Sequence, residues 1–459
     1  MQRLWAISWL TVKAAFRYRL VLLLSVILLG SVVVLPLIIK DDGTARGFTQ
    51  ILLTYTLTLI TTLLGFATLW LACGTLARDI EECQMQMVVV KPVARWQIWL
   101  GKWLGILAVN AILLLLCGSA VFALLQWRAR RLPPAQQTIL RNEILVARGS
   151  AKPPVPNYDE EVKQILQKKL KESPVPLTDV KYVRDQILAG LQAGAQMAPP
   201  DYRKPWVLDL GVAKNRLRDR PLYLRVKFNA AQPSASKTYR GFWVLGDFEA
   251  PRYRTPELSL AADTFHEFAL PPNLVDESGK LTINFINRSE SVLLFPLDDG
   301  LEVLYPEGGF GLNFARGVGI IFFWLAFLAA IGLMASSFLS FPVAAFFSIG
   351  VLIVGMSTST MSLILEQGTI FEVNHDTGVA DQQTVIDHIA LPMFRGMLNL
   401  INLVRGFSPI DALSTGRSVS WSEFGLAFGQ ICVLFCGILA AIGITVFNRR
   451  ELATAQGNQ

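Results

Sequence analysis

The sequence predicts an α-helical integral membrane protein with six transmembrane helices and an inserted extracytoplasmic α+β domain containing an antiparallel β-sandwich. Three observations carry that expectation: six long apolar runs, a polar segment between the third and fourth runs whose periodicity changes along its length, and Lys and Arg residues gathered in the loops of one side. Composition agrees. Of 459 residues, 52% are hydrophobic and 17% charged, with a mean hydropathy of +0.43, values that do not suit a soluble chain.

The first run, Leu20 to Ile39, carries no charge, and comparable runs occupy Gln50 to Leu76, Leu104 to Leu125, Phe314 to Leu339, Val343 to Leu365 and Phe424 to Val446. At about 1.5 Å of rise per residue, each can cross a hydrocarbon core of about 30 Å. Basic residues before the first run raise the alternative of a cleaved signal peptide. The run is longer than a usual h-region, however, and the stretch from Pro36 to Lys40 is no small-residue cleavage site, so it is read as a retained span.

Lys13, Arg17 and Arg19 precede the first span; Arg78, Lys91, Arg95 and Lys102 lie between the second and third; Arg449 and Arg450 follow the sixth. Cations in short loops mark the cytoplasmic side. Both termini are therefore expected on the cytoplasmic side, the chain crossing a bacterial cytoplasmic (inner) membrane several times. The expected organisation is an interfacial helix over 1–18, three spans over 19–126 and an extracytoplasmic helical segment over 127–204. A β-sandwich over 205–312, two spans over 313–366, a connector of short surface or re-entrant helices over 367–421, and the last span with its tail over 422–459 complete it. The net charge of +7 adds little, and a nucleic-acid partner has no support.

In the interfacial helix, Trp5, Trp9, Val12 and Phe16 recur at helical spacing, with Arg3, Lys13 and Arg17 available to the polar side. Of the outer segment, residues 133–200 are polar and broken by prolines, with Val162, Ile165, Leu166 and Leu170 on one helical face. Beyond about Pro205 the period becomes two. Leu222 to Phe228, Gly241 to Gly246, Thr264 to Leu270 and Leu281 to Asn287 read as strands separated by polar turns. Trp206, Tyr239, Trp243 and Tyr253 could stack on sugar rings or fill the core; the core is the favoured place for at least half of them. The domain contains none of the five cysteines, which are Cys73, Cys83, Cys117, Cys432 and Cys436. Cys432 and Cys436 share a helix face, where packing is favoured over a soft-metal pair.

The loop between the second and third spans is the most specific part of the chain. It reads as an inner-face helix of about three turns, with Asp79, Glu81 and Glu82 in the first turn, where carboxylates suit the helix dipole. Met85 and Val88 to Val90 give it an apolar side, and Pro92 ends it. A short, rigid element of this kind suits the docking of a partner.

These residues resemble the ABC-2 permease family, especially its branch of multi-copper enzyme maturation permeases, in which an acidic start is followed by an apolar stretch, Pro-Val-x-Arg and a later Gly-Lys. This chain offers Arg78, Asp79 and Glu81, then Lys91, Pro92 and Arg95, then Gly101, Lys102 and Gly105. Cys83 and Gln84 stand where many relatives carry Gly and Thr. The resemblance covers the membrane part, with its six spans of type V exporter kind, and leaves the outer domain as an addition. It implies that residues Ile80 to Lys91 form a coupling helix seated in a separate ABC ATPase subunit, with Arg78, Asp79, Glu81, Glu82, Lys91, Pro92, Arg95, Gly101 and Lys102 as the ATPase-coupling residues. It also implies a second permease subunit, the same chain or a related one. No GxxxxGK[ST] phosphate loop occurs in the sequence, so an ATPase site, a catalytic residue and a cofactor are all expected to be absent.

Other candidates are weaker. His375, Asp376, Asp381, Asp387 and His388 could ligate a metal, but their irregular spacing favours an ordinary polar loop. Met393, Leu398, Ile401 and Leu403 would lie near a pathway exit if the connector is re-entrant. Full charges are nearly missing from the spans, Arg316 and Glu366 sitting at outer ends, which argues against an ion-coupled carrier. Ser and Thr residues within 54–62 and 357–362 could line a route or simply pack helices. The expected function is therefore that of a permease subunit handling a lipid, glycan or other envelope component. The alternative is a mechanical coupler that regulates a periplasmic partner through the outer domain.

Overall fold

The computed structural model describes residues 2–17, 19–38, 44–85, 93–140, 144–172, 180–210, 217, 220–234, 236–367, 369–370, 384–405 and 407–450. The chain forms two compact units, one of residues 1–146 with 309–459 and one of residues 147–308.

The first unit is helical. It comprises α1 (Gln2–Arg17), α2 (Arg19–Ile38), α3 (Ala45–Glu81), α4 (Arg95–Ala129) and α5 (Pro134–Ile139) before the insertion. After it come α8 (Phe310–Ser336), α9 (Phe341–Met356), α10 (Thr358–Gln367), α11 (Val385–Arg405), α12 (Pro409–Ser414), α13 (Trp421–Ala427), a π-helical stretch (Phe428–Phe435) and α14 (Cys436–Arg449). Among the described residues, four helical segments are long and apolar enough to cross a membrane: Thr49–Glu81, Arg95–Ala129, Phe310–Ser336 and Trp421–Arg449. By length and composition the unit is membrane-embedded.

Among the described side chains, two of the six expected spans do not meet that measure. In the first, the apolar helix covers Leu23–Leu35 among the described side chains. The fifth, expected from Val343 to Leu365, is divided at Ser357 into α9 and α10. At the division Ser357 Oγ donates to Ile353 O at 2.9 Å and Thr358 Oγ1 to Gly355 O at 3.3 Å. The backbone N–H of Ser357 still reaches Ile353 O at 3.0 Å, so the hydroxyl shares that carbonyl and does not replace the ladder bond. The 16 residues of α9 rise only about 24 Å.

The two largest apolar clusters of this unit run through its long helices. One gathers Leu28, Leu53, Leu57, Leu64, Leu113, Val121, Phe314 and Leu325; the other gathers Leu76, Trp99, Ile106, Ala330, Leu333 and Phe447. Cys436 belongs to the second and Cys432 packs on it. Helix α1 lies along α4 through glycines. A Cβ on Gly105 would stand 2.6 Å from Thr11 Cβ and 2.8 Å from Ser8 O, and one on Gly101 would stand 2.8 Å from Ile7 Cβ. Ser8, Thr11, Val12 and Ala15 form the buried face of α1, while Trp5, Trp9, Leu10 and Phe16 are exposed. Val12 thus leaves the aromatic face expected for it and faces the neighbouring helix.

The second unit contains β1 (Val146–Ala151), α6 (Asp159–Glu172), α7 (Val180–Gln196), β2 (Met197–Ala198), β3 (Arg203–Asp209), β4 (Leu222–Val226), β5 (Asn229–Ala230) and β6 (Thr238–Gly246). It continues through β7 (Pro251–Arg254), β8 (Leu258–Ala261), β9 (His266–Leu270), β10 (Lys280–Asn287), β11 (Leu293–Leu294) and β12 (Leu301–Gly309). Three separate sheets result: β1-β12-β4-β9; β3-β10-β6-β7 with β8 also on β6; and β2-β11-β5. The pairings β10 to β3 and β6, and β4 to β12 and β9, are antiparallel.

Alternation explains which face is which. Leu222, Leu224 and Val226 point into a core shared with Leu208, Trp243, Leu245, Leu281, Ile283, Phe285 and Phe295. Tyr223 and Arg225 take the opposite face, where Arg225 stands in register between Glu302 and Glu267. Arg225 Nη1 reaches Glu302 at 3.1 Å and Arg148 Nη1 reaches Glu267 at 2.5 Å. Strand β1 falls in the segment expected to be helical. Its sequence, Val-Ala-Arg-Gly-Ser-Ala, lacks the β-branched alternation that marks a strand.

The glycine contacts yield a paired test. Gly105→Leu is expected to dislodge α1 and lower the melting temperature of the detergent-purified chain. Gly190→Ala, in α7 with nothing within 4 Å of its Cβ position, is expected to hold or raise stability by about 0.5–1 kcal/mol. Equal effects at both sites would contradict the helix contact.

Candidate functional site

The loop singled out by sequence is built differently from expectation. Asp79 and Glu81 do not open a separate inner helix; they lie in the last turn of α3, which runs on to Glu81 with Glu82 as its C-cap. Carboxylates there face the negative end of the helix dipole, an unfavourable place. Each is compensated from another helix. Lys102 Nζ, on α4, donates to Asp79 Oδ2 at 2.5 Å and to Thr75 O at 2.6 Å. Glu81 Oε1 accepts the Phe341 backbone N–H at 2.8 Å, so it occupies the positive N-terminus of α9. Sequence-local reasoning missed both, because the partners lie 23 and 260 residues away.

Arg78 lays its guanidinium 4.4 Å from the centre of the Phe341 ring, and Trp70 meets the same ring edge-on at 5.1 Å. Arg95 begins α4, and its Nη1 donates to Phe447 O at 2.7 Å and to Asn448 O and Arg450 O at 2.9 Å. Those carbonyls end α14, where a cation suits the dipole. Arg450 in turn donates to Ser337 O at 3.2 Å, the C-cap of α8. Trp103 Nε1 donates to Ala326 O at 3.0 Å. Gly443 on α14 sits so close to Trp99 that a Cβ would meet its Nε1 at 2.8 Å.

Thus Arg78, Asp79, Glu81, Arg95, Gly101 and Lys102, nominated from sequence, converge at one end of the helical unit and join α1, α3, α4, α9 and α14. Glu82 and Cys83 remain exposed, with Gln84 Nε2 donating to Glu82 Oε2 at 2.7 Å. Cys83 has φ of +57°, a left-handed conformation that costs roughly 1–2 kcal/mol outside glycine. Lys91 and Pro92, with the second half of the expected coupling helix, lie outside the described residues.

The other candidates resolve unevenly. His375, Asp376 and Asp381 lie outside the described residues, and among those described no group of three metal-ligating side chains is assembled. Asp387 is buried and accepts the backbone N–H groups of Ile370 at 2.9 Å and Thr384 at 2.8 Å. Those bonds, Ile370's first, hold its carboxyl below the usual range. Leu398 is buried and Met393 and Leu403 are exposed on α11. Thr56 donates to Leu52 O at 2.5 Å within α3, a bond made along its own helix. In the second unit, Trp243 and Tyr239 are core residues and Trp206 and Tyr253 pack on them, Trp206 stacking on Trp243 at 5.9 Å. Lys204 donates to Ala195 O and Met197 O where α7 ends, and burial pulls its pKa down to about 8.

The convergence at Lys102 is open to a double-mutant test. Asp79→Asn leaves a nearly buried ammonium short of its counter-ion and is expected to cost about 2 kcal/mol; in a Lys102→Met background the same change should cost far less. Additive losses in thermal unfolding would show that the pair is not coupled. No family model matches the chain, and no curated protein matches it.

Proposed function

We propose that the chain is the membrane subunit of an ATP-driven transporter of ABC-2 type, energised by a separate ATPase that docks on the turn between α3 and α4. The observation that carries this reading is the convergence of the motif residues. Through Asp79, Glu81, Arg95 and Lys102, a force applied at the exposed Glu82–Gln84 turn reaches the ends of α3, α4, α9 and α14 together. A rigid hub beside an exposed turn is what transmission of a partner's stroke needs. The reading places this turn on the cytoplasmic side of a bacterial inner membrane and pairs the chain with a second permease subunit. It takes six helices as spanning, with α9 and α10 sharing one crossing, and takes the larger sheets of the second unit as a sandwich. A lipid, glycan or other envelope component is the proposed cargo.

One observation favours the mechanical-coupler reading as the second choice. The four aromatics that could have gripped sugar rings are taken up by the core or packed against it, leaving the outer unit better suited to holding a protein partner.

The docking claim has a direct test in co-expression with any phosphate-loop ATPase whose gene neighbours this one. Glu82→Lys should abolish co-purification while leaving the melting temperature unchanged, whereas Glu81→Lys should lose both. Retained capture and ATPase stimulation by the Glu82 variant would remove the turn as the docking element.

A further inference from the structure

Arg316 lies in the second turn of α8 and is only 7% exposed. Its Nε is enclosed and has no acceptor, and among the described residues its guanidinium enters no ion pair. Glu423, on α13, is close enough to act on it electrostatically without reaching it. One turn earlier on the same helix face, Asn313 is fully buried and fully used. Its Nδ2 donates to Arg417 O at 2.7 Å and its Oδ1 accepts from Val419 N–H at 2.8 Å. These bonds pin the 417–419 loop beside α8, and the Ser418 Oγ between them is also buried without a partner. The ring of Trp421, itself exposed, stands 5.2 Å from the guanidinium carbon.

A buried cation with no ion-paired or hydrogen-bonded partner is costly, and in a membrane helix it marks a place where something else completes the site. The unsatisfied groups here are donors, and a guanidinium fork matches the oxygens of a phosphate in geometry as well as charge. The Glu423 carboxylate would repel a dianion more strongly than a monoanion, which favours a phosphodiester. The indole supplies an apolar face of the kind found at headgroup depth.

We propose that Arg316, with the loop carrying Ser418 and Trp421, binds a phosphate monoanion, borne by a lipid headgroup or free, at this end of the helical unit. The proposal borrows from the transport reading only the leaflet it serves. Binding is measured on the chain without an ATPase, so the two can fail separately.

The test uses the full chain in maltoside micelles, which carry no phosphate, with thermal unfolding followed as phosphatidylglycerol, inorganic phosphate or diacylglycerol is added. Phosphatidylglycerol is expected to raise the melting temperature by several degrees and diacylglycerol to leave it unmoved. A matching rise with inorganic phosphate identifies a free-anion site; a rise with the lipid alone identifies a headgroup site. Arg316→Lys should fold and lose most of the shift, and Glu423→Gln should keep or enlarge it. The proposal is overturned if wild type responds to neither phosphate source, if Arg316→Lys responds as wild type does, or if Glu423→Gln melts lower and shows no shift, which would make Arg316 and Glu423 a simple ion pair.

Discussion

The ammonium of Lys102 is the point on which the helical unit depends. It sits almost out of solvent on α4 and holds α3 by two groups at once, the Asp79 carboxylate and the Thr75 carbonyl. A cation at a helix C-terminus offsets both the dipole and the acidic residues placed there. Without it, two carboxylates in the last turn of α3 would work against the helix that carries them. Around this contact the other helix ends are tied by the same logic: Glu81 at the N-terminus of α9, Arg95 at the C-terminus of α14, and Arg450 at the C-terminus of α8.

This arrangement explains why the motif pairs acidic and basic residues at its particular spacing. The charges are spent on one another's helix ends, and the turn they brace stays exposed at Glu82 and Cys83. The small residues serve the same end, since Gly101 and Gly105 let α1 approach α4 to within backbone contact. On the proposed transport reading, helices that must move together need such a bracket more than they need flexible contacts.

Much of the fold was legible in the sequence where local pattern and tertiary role agree. The alternation in Leu222–Val226 and Lys280–Asn287 marks strands because alternate residues, Leu222, Leu224 and Val226 on one and Leu281, Ile283 and Phe285 on the other, enter the same apolar core. The pattern misled where distant groups decide. Asp79 and Glu81 read as the start of a helix by dipole reasoning, yet they end one, since Lys102 and the α9 N-terminus make that end tolerable. The run from Val343 to Leu365 reads as one span by hydropathy, which does not register the change of backbone conformation at Ser357 that separates α9 from α10. Strand β1 carries no pattern of its own and is fixed by its neighbour β12. Arg316 was visible as a charge near a span end; only its burial with no ion-paired or hydrogen-bonded partner makes it a candidate site.

Orientation is the claim on which the functional account turns, and Cys83 reports it. All five cysteines are described; Cys83 is exposed, Cys432 half-buried and the other three buried. A membrane-impermeant maleimide should label the chain in inverted membrane vesicles and not in right-side-out spheroplasts, with Cys83→Ser removing the signal. Labelling of Cys83 from outside intact spheroplasts would place the Arg78–Lys102 hub away from any cytoplasmic ATPase and contradict the account.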